Sequence, residues 1–455
     1  MPLGSTTNML NPVHHAINLI SIPAICWLSL LPIIVFLAHQ LPHFKTSLRP
    51  KGCRRLGLAA DQSNLRDEFD PKYSHGVPES SVDVDGRPSW RIKSLFTYPI
   101  KSCAGIELDV SDVERTGLTH DRQFCFAEYI SPSPGTVSSP AHTQWTMRTM
   151  RDGQFSRMAL IRPEIWIPDP TASDYSSDLE EVKSHGVMII YYPRVPSWRN
   201  GLLAYLEHIA ITLGLLHAEQ SFRVPLSPPS DLLSNYPSTR VKVWKDSPFA
   251  YDYAQHIPPS LLDFLCAPGN ESSSSRGPLT LFRVHPSYHR EIFRCAPRKE
   301  TLGFQPITGF ADAYPLHLLN LASVRDVAAR CALSIAHLSI RRFRANIIIQ
   351  GPKAFAEDHW KRIQIYSRSG SYKNKEVDKD AVRGIEIYAS CRTMRCKLPN
   401  VDPDTGIRHL NEPDQTLRSY RRIDPGDWNY AALGMQLVPA VQSIPPSPPT
   451  PTLVL

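Results

Sequence analysis

The longest uninterrupted run of apolar residues lies near the N-terminus. Residues 16–38, AINLISIPAICWLSLLPIIVFLA, contain no charged side chain. A helix of about 23 residues, with a rise of about 1.5 Å per residue, spans a hydrocarbon core roughly 30 Å thick. The pattern therefore predicts a transmembrane helix. A cleaved signal peptide is the alternative, but its apolar region is usually about 7–15 residues long and follows a positive charge, which is missing here.

Positive charges flank this run on one side only. No Lys or Arg precedes it, and the basic residues that follow it are Lys45, Arg49, Lys51, Arg54 and Arg55. Because Lys and Arg next to a span stay on the cytoplasmic side, we expect a single-pass protein whose large C-terminal part faces the cytosol. We take residues 1–45 as the membrane anchor. The polar residues 46–87, which lack apolar periodicity, are expected to form a tether.

From about residue 90 the pattern changes to short alternations of apolar and polar positions broken by Pro and Gly, which is typical of strands and turns. Helical periodicity appears in two stretches, residues 200–216 and 316–332. Three low-complexity stretches, SPSPGTVSSPAHT, PTASDYSSDLEEVKS and APGNESSSSRGP, are expected to be surface loops. The folded part is therefore expected to be α+β and rich in strands.

Composition narrows the class of protein. An apolar share of 42% with 20% charged residues is ordinary for a globular chain of 455 residues. The formal net charge of +7 is diffuse, and no basic run with interleaved aromatic residues indicates nucleic-acid binding. The nine cysteines are odd in number and irregularly spaced, so a secreted disulfide framework is not expected. A reducing compartment fits this cysteine usage better.

The common catalytic motifs are missing from the sequence. It contains no G-x-G-x-x-G, no phosphate-binding Gly-Lys-Ser/Thr loop, no H-E-x-x-H and no G-x-S-x-G. Dinucleotide binding, P-loop chemistry, zinc proteolysis and serine hydrolysis therefore lose their usual support. The cysteine spacing matches neither a zinc finger nor a ferredoxin.

One cysteine lies in suitable surroundings for a metal–sulfur bond. In the stretch CRTMRCKLPNVDPDTG, residues 391–406, Arg392 and Arg395 precede Cys396, and nearby cations favour a thiolate, which is a soft ligand. A redox pair of Cys391 with Cys396 and simple packing of a buried cysteine are the alternatives. The following VDPDTG is expected to be a turn capped by an aspartate, in which the glycine takes a positive φ.

The run RCKLPNVDPDTG resembles the signature of the MOSC family. Other blocks of that family follow the same order: YPIKSCAG, GLTHDRQF, VKVWKD, FADAYPLHLLNLASV, RRFRANIII, AEDHW and NEPDQTLRSYRRIDP. Within the family, the chain is most similar to membrane-anchored fungal members related to the mitochondrial amidoxime-reducing component. The resemblance implies a molybdenum–pyranopterin cofactor (molybdopterin carrying molybdenum). It also brings the family's general association with pyridoxal phosphate, for which we assign no residue.

The resemblance assigns roles to individual residues. Cys396 matches the molybdenum-ligating, catalytic cysteine, whereas Cys391 matches no such position. The expected cofactor-binding residues are Lys101, Ser102, Arg122, Asp312, Arg344, Asn346 and Arg395. The first three match the phosphate end of the cofactor, Arg344 and Asn346 match a pair on the pterin side, and Asp312 aligns with a loop of the same pocket. From residue type alone, the charged residues could equally be solvated surface charges and Asn346 a satisfied amide at the end of a strand.

The activity implied by the resemblance is oxygen-atom transfer from small N-hydroxylated substrates, completed by two electrons and two protons. Since the sequence has no iron–sulfur or nucleotide-binding motif, the electrons are expected from another protein, by resemblance a cytochrome b5 type donor with its reductase. The outer mitochondrial membrane is favoured by the same resemblance, and the endoplasmic reticulum stays possible. A sulfur carrier or sulfurtransferase that uses Cys396, and an inactive membrane-tethered scaffold, are the alternative functions.

The resemblance also predicts the order of domains. Residues 88–255 are expected to form a MOSC N-terminal, β-barrel-like domain, and residues 256–440 a MOSC domain with a β-barrel core. Residues 441–455 depart from the family pattern, because they are rich in proline where the family continues with strands. Proline cannot donate to a central strand ladder, so the barrel is expected to lack these strands.

Overall fold

The computed structural model describes residues 49–74, 90–130, 144–195, 201–265, 277–366, 384–441 and 452–454. The apolar run predicted to cross a membrane lies outside these residues, as does the predicted loop at 131–143. Among the residues that are described, no helix is long and apolar enough to span a bilayer. The fold is mixed α+β and rich in strands, as the alternating pattern predicted.

Strands account for most of the regular structure. They are, in chain order, β1 (Cys53–Arg55), β2 (Arg91–Thr97), β3 (Ile106–Leu108), β4 (Val110–Glu114), β5 (Gly117–Leu118), β6 (Phe124–Ile130), β7 (Gln144–Met147), β8 (Arg162–Pro168), β9 (Val187–Pro193), β10 (Glu219–Pro225), β11 (Ser238–Lys242), β12 (Phe249–Asp252), β13 (Leu279–Val284), β14 (Arg290–Glu291), β15 (Ile307–Thr308), β16 (Leu316–Asn320), β17 (Ile347–Gln350), β18 (Arg362–Tyr366), β19 (Gly384–Arg395), β20 (Ala431–Pro439) and β21 (Thr452–Val454).

The helices are short. The α-helices are α1 (Glu180–Lys183), α2 (Gly201–Thr212), α3 (Pro259–Leu265), α4 (Lys299–Leu302), α5 (Leu321–Cys331) and α6 (Asp414–Tyr420). The 3-10 helices are Ala60–Gln62, Gly153–Leu160, Ser230–Asn235, Ala254–His256, Ile340–Phe343, Ala356–His359 and Leu398–Asn400. Most of them connect strands. The last two 3-10 helices, Ala356–His359 and Leu398–Asn400, lie in loops of the C-terminal half of the chain.

The chain divides into two compact units, Met1–Pro50 with Pro196–Ala218, and Lys51–Val195 with Glu219–Leu455. The described part of the first unit contains α2, which confirms the helix predicted in residues 200–216. The second unit contains the sheets and the barrel.

The second predicted helix is only half right. Residues 316–332 begin with strand β16, and α5 starts at Leu321, where the side chain of Asn320 caps it by accepting from the Ala322 N–H at 3.1 Å. All five residues of β16 are buried: the strand pairs at its two edges with β17 and β20, and its side chains pack into two different hydrophobic clusters, Leu316 and Leu318 in one and Leu319 in the other. A short apolar run that is buried on both faces has no period that separates a strand from a helix.

Five strands close into a small barrel in the order β11, β12, β13, β6 and β7. The barrel closes through a parallel pairing of β11 with β7, and its other pairings are antiparallel. Small and aromatic side chains fill its interior, among them Cys125, Ala127, Val241, Ala250, Phe282 and Phe310. Alternating small and large residues let the inward-facing side chains interdigitate in a small barrel.

The largest sheet has the strand order β18, β19, β20, β16, β17, β2 and β3. Its longest strand, β19, has 12 residues and two shifts of register against β20, between Ala389 and Cys391 and between Arg392 and Met394. Such bulges bend a strand and turn its side chains to new directions. The strand ends at Arg395, so Cys396 is the first residue of the loop that follows.

The two predicted domains exchange strands across their proposed boundary. Strands β2 and β3 come from residues 88–255 but pair within the large sheet, and β13 comes from residues 256–440 but pairs within the barrel. The two stretches therefore build one interlocked unit, and the proposed boundary stays a prediction.

Part of the proline-rich tail forms a strand. Thr452–Val454 pairs antiparallel with β4, in a sheet with the order β21, β4 and β5. Among the described strands, the tail adds nothing to the seven-stranded sheet, which has β18 and β3 at its edges. An edge position agrees with the rule that proline-rich segments do not pair centrally.

Candidate cofactor site

Three of the predicted cofactor residues share an unusual backbone conformation. Ser102, Arg122 and Arg344 have φ values of 68°, 45° and 56°. Non-glycine residues seldom adopt this left-handed region, and residues held there cluster at binding and catalytic sites. The three residues lie in tight loops that follow β2, β5 and the 3-10 helix Ile340–Phe343.

Arg122 connects two of these loops. Its Nη1 donates to Asp121 Oδ2 at 2.5 Å and to Asn346 Oδ1 at 2.8 Å, and its Nη2 donates to the Arg344 carbonyl at 2.8 Å. Asp121 is buried and also accepts from the Tyr98 N–H at 2.8 Å. Burial raises the pKa of Asp121, and the Arg122 charge acts against that rise. Arg122 is therefore fixed in one orientation before any ligand arrives.

Tyr98 is the platform for two guanidinium groups. The Cζ atoms of Arg122 and Arg344 lie 4.5 Å and 4.3 Å from the centroid of its ring. The ring is buried, and burial raises the pKa of the phenol although both arginines lower it. An aromatic face stabilises a nearby cation, so Tyr98 lets two positive charges lie close together.

Arg344 has an unsatisfied donor. Its Nη2 is buried and has no hydrogen-bond partner among the residues that the structure describes, and no carboxylate there forms an ion pair with it. Burial lowers the pKa of this guanidinium to about 10, so it is still charged at neutral pH. A buried donor on a charged group without a partner costs free energy. The observation fits a site that receives an anionic, hydrogen-bonding ligand.

Lys101 and Asp312 form the other side of the cluster. Lys101 is buried, and its Nζ lies 2.7 Å from Oδ1 of Asp312, whose side chain is 50% exposed. Burial lowers the pKa of Lys101, although Asp312 acts against this effect. Desolvation alone would raise the pKa of Asp312, but the Lys101 ammonium outweighs it and holds that pKa below its ordinary value. Asp312 is the group of this pair that faces solvent.

The cluster carries an excess of positive charge. The three cations Lys101, Arg122 and Arg344 lie with the two carboxylates of Asp121 and Asp312, which leaves one positive charge uncompensated among these five residues. Arg and Lys around a partly buried position are the usual binding groups for a phosphate. The donor set therefore fits the phosphate end of a pyranopterin cofactor.

Asn346 is placed behind the cluster and not in it. It is fully buried, its Oδ1 accepts from Arg122 and from the His317 N–H at 3.1 Å, and its Nδ2 donates to the Phe96 carbonyl at 3.0 Å. With both lone pairs of Oδ1 occupied, this amide holds protein groups. The geometry supports a positioning role for Asn346 and agrees with the alternative of a satisfied amide at a strand end.

Arg395 also points into the protein. It is 7% exposed, and it donates to the Leu433 carbonyl at 2.9 Å, the Phe343 carbonyl at 3.3 Å and His317 Nε2 at 2.6 Å. Burial lowers its pKa to about 9, and burial together with the Arg395 and Arg122 charges lowers the pKa of His317 well below its ordinary value. The neutral His317 imidazole therefore accepts from Arg395. Direct cofactor contact by Arg395, as the sequence suggested, would compete with these three bonds.

Cys396 is partly exposed at the start of the signature loop. Its Sγ accepts a hydrogen bond from the Leu398 N–H at 3.4 Å. A backbone N–H donor next to a sulfur atom orients it. The residue lies directly after the buried Arg395, so its Cα is fixed by the end of β19. Its sulfur atom has lone pairs left for a metal.

The turn after Cys396 has the predicted structure. Asp402 Oδ1 accepts from the N–H groups of Asp404 and Thr405 at 2.9 and 3.1 Å, and Gly406 has a φ of +68°. Asp402 and Asp404 also form ion pairs with residues outside the loop, which the sequence did not indicate. Asp402 pairs with Arg342 at 2.5 Å, and Asp404 accepts from Arg341 at 2.9 Å. These ion pairs tie the signature loop to the segment that precedes Arg344.

Cys391 belongs to different surroundings. It packs against Ile292, Tyr314 and Val438, and burial raises the pKa of its thiol to about 11 although a hydrogen bond from Tyr314 opposes the rise. Cys391 and Cys396 are both free thiols. A thiol with this pKa is a poor nucleophile near neutral pH, which supports packing for Cys391.

The sequence reading missed three residues of this network: Tyr98, Asp121 and His317. The first two lie within the quoted blocks YPIKSCAG and GLTHDRQF, and His317 lies within β16. Their closeness along the chain to predicted cofactor-binding residues was the available indication, because polar or aromatic residues next to such residues often hold them in position. Their contacts across 23 to 29 residues or more could not be inferred from spacing.

Two stretches of the chain match the models of known domains. Residues 89–174 match the MOSC N-terminal beta barrel domain and residues 306–436 match the MOSC domain. The chain is 37% identical over 116 residues to mitochondrial amidoxime reducing component 2 of Rattus norvegicus, which covers 26% of this chain and 28% of that protein. It is 31% identical over 118 residues to mitochondrial amidoxime-reducing component 1 of Homo sapiens, covering 26% and 29%.

A longer but weaker similarity relates the chain to another relative. It is 23% identical over 381 residues to the molybdenum cofactor sulfurase of Botryotinia fuckeliana, which covers 77% of this chain and 38% of that protein. The chain thus spans less than a third of the amidoxime-reducing components in these alignments. The chain carries a MOSC N-terminal domain and a MOSC domain and is homologous to mitochondrial amidoxime-reducing components and to a molybdenum cofactor sulfurase.

Proposed function

We propose that this protein is a molybdenum-cofactor-dependent oxidoreductase that reduces small N-hydroxylated compounds, with electrons from a separate protein. The single observation that carries the proposal is the buried, unpartnered Nη2 of Arg344 in a cluster that is otherwise pre-organised and has an excess of positive charge. The homology to amidoxime-reducing components supplies the reaction.

Some residues of the site would bind the cofactor directly, and others hold those residues in position. Lys101, Arg122 and Arg344 present ammonium and guanidinium donors, and Ser102 contributes a hydroxyl from a strained turn. Asp121, Asn346 and Tyr98 fix the arginines, so little conformational entropy is lost when a phosphate binds. Cys396 would hold the metal through Sγ. When bound, the molybdenum–pyranopterin supplies oxygen-atom transfer, in which the substrate N–O bond is broken and water is released.

Asp312 is placed where it could also contact the substrate. Its carboxylate is half exposed, and Lys101 keeps it ionised through most of the pH range. An ionised carboxylate at the edge of a cationic site can orient an N–H or O–H group of a substrate. We assign Asp312 to substrate orientation, with Lys101 holding it in place.

The second candidate is a sulfur-handling function, favoured by the alignment with a molybdenum cofactor sulfurase over 77% of this chain. In that case Cys396 would carry a persulfide, and the cationic cluster would hold the phosphate end of the pterin that receives the sulfur. The same residues serve both candidates, so the bound group distinguishes them. An inactive scaffold would hold neither group.

The membrane assignment belongs to this proposal as well. We propose that residues 16–38 anchor the protein and that the domain faces the cytosol at the outer mitochondrial membrane, where a cytochrome b5 type donor and its reductase are expected to reach it. The endoplasmic reticulum is the alternative location. Protease added to intact organelles should digest the large domain, and full protection of that domain would refute the orientation.

The experiment that tests the function combines metal analysis with turnover. Protein purified from a host that makes the cofactor should contain molybdenum in about a one-to-one ratio, and it should reduce an amidoxime with an artificial electron donor. Labile sulfane sulfur on Cys396 without molybdenum would support the sulfur-handling function. If the folded protein contains neither molybdenum nor sulfane sulfur, both functions are excluded.

A further inference from the structure

The hairpin between β11 and β12 has an unexpected residue at its tip. Val243 and Asp246 pair across a two-residue turn, with N–H to carbonyl bonds of 2.8 and 3.0 Å in the two directions. The first turn residue, Trp244, has a φ of 56°, and the second, Lys245, is not among the residues with positive φ. A two-residue hairpin with positive φ only at its first central position normally has glycine there. A bulky residue at such a position is a true outlier.

Burial does not explain why tryptophan is tolerated there. The Trp244 side chain belongs to no core cluster, and the residue is 41% exposed. Its one described aromatic interaction is with Arg151, whose Cζ lies 4.7 Å from the indole centroid. Residues in strained backbone conformations cluster at active sites and ligand-binding positions. The strain at Trp244 therefore indicates a role outside the core.

The hairpin is fastened to the loop that carries Asp312. Arg290 donates from Nε to Asp246 Oδ2 at 2.7 Å, and its other nitrogens donate to the Ala311 and Asp312 carbonyls at 2.7 and 3.3 Å. The Arg290 side chain is 9% exposed, so this link is rigid. The Asp312 carboxylate in turn pairs with Lys101. The turn that carries Trp244 is thus connected to the cationic cluster through Arg290 and Asp312.

The signature loop holds the other partner of the indole. Arg408, in the loop that starts with Cys396, donates from Nη2 to the Arg151 carbonyl at 3.0 Å and also to the Met150 carbonyl. The signature loop therefore holds the backbone at Arg151, whose guanidinium lies over the Trp244 ring. The pair of Trp244 and Arg151 is thus connected to the Asp312 loop through Arg290 and to the Cys396 loop through Arg408.

We propose that Trp244 and Arg151 form a substrate-facing rim that selects N-hydroxylated compounds with a planar, conjugated substituent next to the N–O group. The inference rests on the proposed reductase function and adds the substrate class and the residue that recognises it. The Arg151 guanidinium contacts one part of the indole, and the exposed part of the ring offers a flat surface. Planar π systems stack on such a surface, whereas a flexible alkyl chain gains less.

The test compares two amidoximes of similar size, one aromatic and one aliphatic, with the full-length, cofactor-loaded protein and an artificial electron donor. For Trp244→Gly, the KM of the aromatic compound should rise roughly 3- to 10-fold with little change in kcat, the range expected for loss of one aromatic stacking contact. The KM of the aliphatic compound should stay within about 2-fold. Trp244→Phe should restore most of the difference.

Two readouts do not depend on turnover. Because glycine relieves the strain of this turn, Trp244→Gly should melt at a higher temperature than the wild type. Saturation-transfer NMR should show the aromatic amidoxime in contact with the wild type and lose that contact in Trp244→Gly. The matched control is Trp428→Ala, which removes an exposed tryptophan that is 60% accessible and should change neither readout.

The outcomes separate this inference from the function on which it rests. An inactive, molybdenum-free wild type would overturn the proposed function, and the NMR contact would still decide the role of Trp244. Equal changes in KM for the two compounds would overturn the selectivity. An effect seen only with a protein electron donor would also overturn it, because the tryptophan would then serve docking of that protein.

Discussion

Arg122 donates from Nη1 to Oδ1 of Asn346 over 2.8 Å, although 224 residues separate the two along the chain. The bond joins the loop after β5 to the start of β17. Asn346 accepts at the same oxygen from the His317 N–H and donates to the Phe96 carbonyl, so one buried amide connects β2, β16 and the arginine. One buried side chain therefore joins the segments that build the candidate site.

We expect Asn346→Ala to weaken both the fold and the binding of the cofactor. The substitution leaves the His317 N–H and the Phe96 carbonyl without their partner, which costs about 1–3 kcal/mol for each unsatisfied buried group. Urea unfolding should show the loss, and pterin content should fall because Arg122 loses one of its three hydrogen bonds. Asn411→Ala, at an exposed position, is the control. Unchanged stability of Asn346→Ala would contradict the positioning role.

Arg344→Gln is expected to release the cofactor without unfolding the protein. Its Nη2 has no protein partner among the described residues, and a charge-assisted hydrogen bond contributes about 1.5–3 kcal/mol, or roughly 10- to 100-fold in affinity. Arg122→Ala should differ, because it leaves the buried Asp121 carboxylate unpaired at a cost of about 3–5 kcal/mol. Pterin fluorescence after dilution and a melting curve measure the two effects. If both variants retain the cofactor fully, the assignment of this cluster is wrong.

Cys396→Ser is expected to abolish N-hydroxy reduction, whereas Cys391→Ser should be nearly silent. Serine replaces a soft thiolate with a hydroxyl that stays protonated near neutral pH, so the metal loses its protein ligand. Cys391 packs beside Tyr314 in a separate cluster. Turnover, molybdenum content and melting temperature should be measured for both variants. Equal loss in both, together with a disulfide in the oxidised wild type, would favour the redox pair, and normal turnover of folded Cys396→Ser would end the ligand assignment.

Stability should fall between about pH 6.5 and pH 5, partly because of His317. Its folded-state pKa lies well below the ordinary value, owing to burial and the Arg395 and Arg122 charges. In that window the unfolded chain therefore binds a proton that the folded protein does not, and acid favours unfolding. One such group gives a slope of up to about 1.4 kcal/mol per pH unit.

His317→Gln keeps an acceptor for Arg395 but removes the titration. The slope of the free energy of unfolding against pH should therefore be smaller in His317→Gln than in the wild type. His120 and His289 also have lowered pKa values through burial, so some of the slope should persist. Identical slopes in the two proteins would show that His317 is not buried as a neutral imidazole.

The local sequence determined those features that depend on neighbours along the chain. The VDPDTG turn formed as predicted, because Asp402 caps the N–H groups two and three residues further on and Gly406 accepts a positive φ. The alternating patterns gave a strand-rich α+β fold, and the helix in residues 200–216 was confirmed. Family motifs placed Lys101, Arg122 and Arg344 on the chain, and the structure brings them together around Tyr98 and Asp312.

Tertiary structure decided what spacing could not express. The apolar residues of β16 form a strand because β17 and β20 pair with its two edges, a fact that the apolar run itself does not show. Asn346 and Arg395 look like ligands in the sequence, but long-range contacts turn their polar atoms inward, since a buried polar group must find a partner wherever the fold provides one. The positive φ of Trp244 likewise arises because Val243 and Asp246 pair across a two-residue turn. It is therefore visible only in the three-dimensional structure.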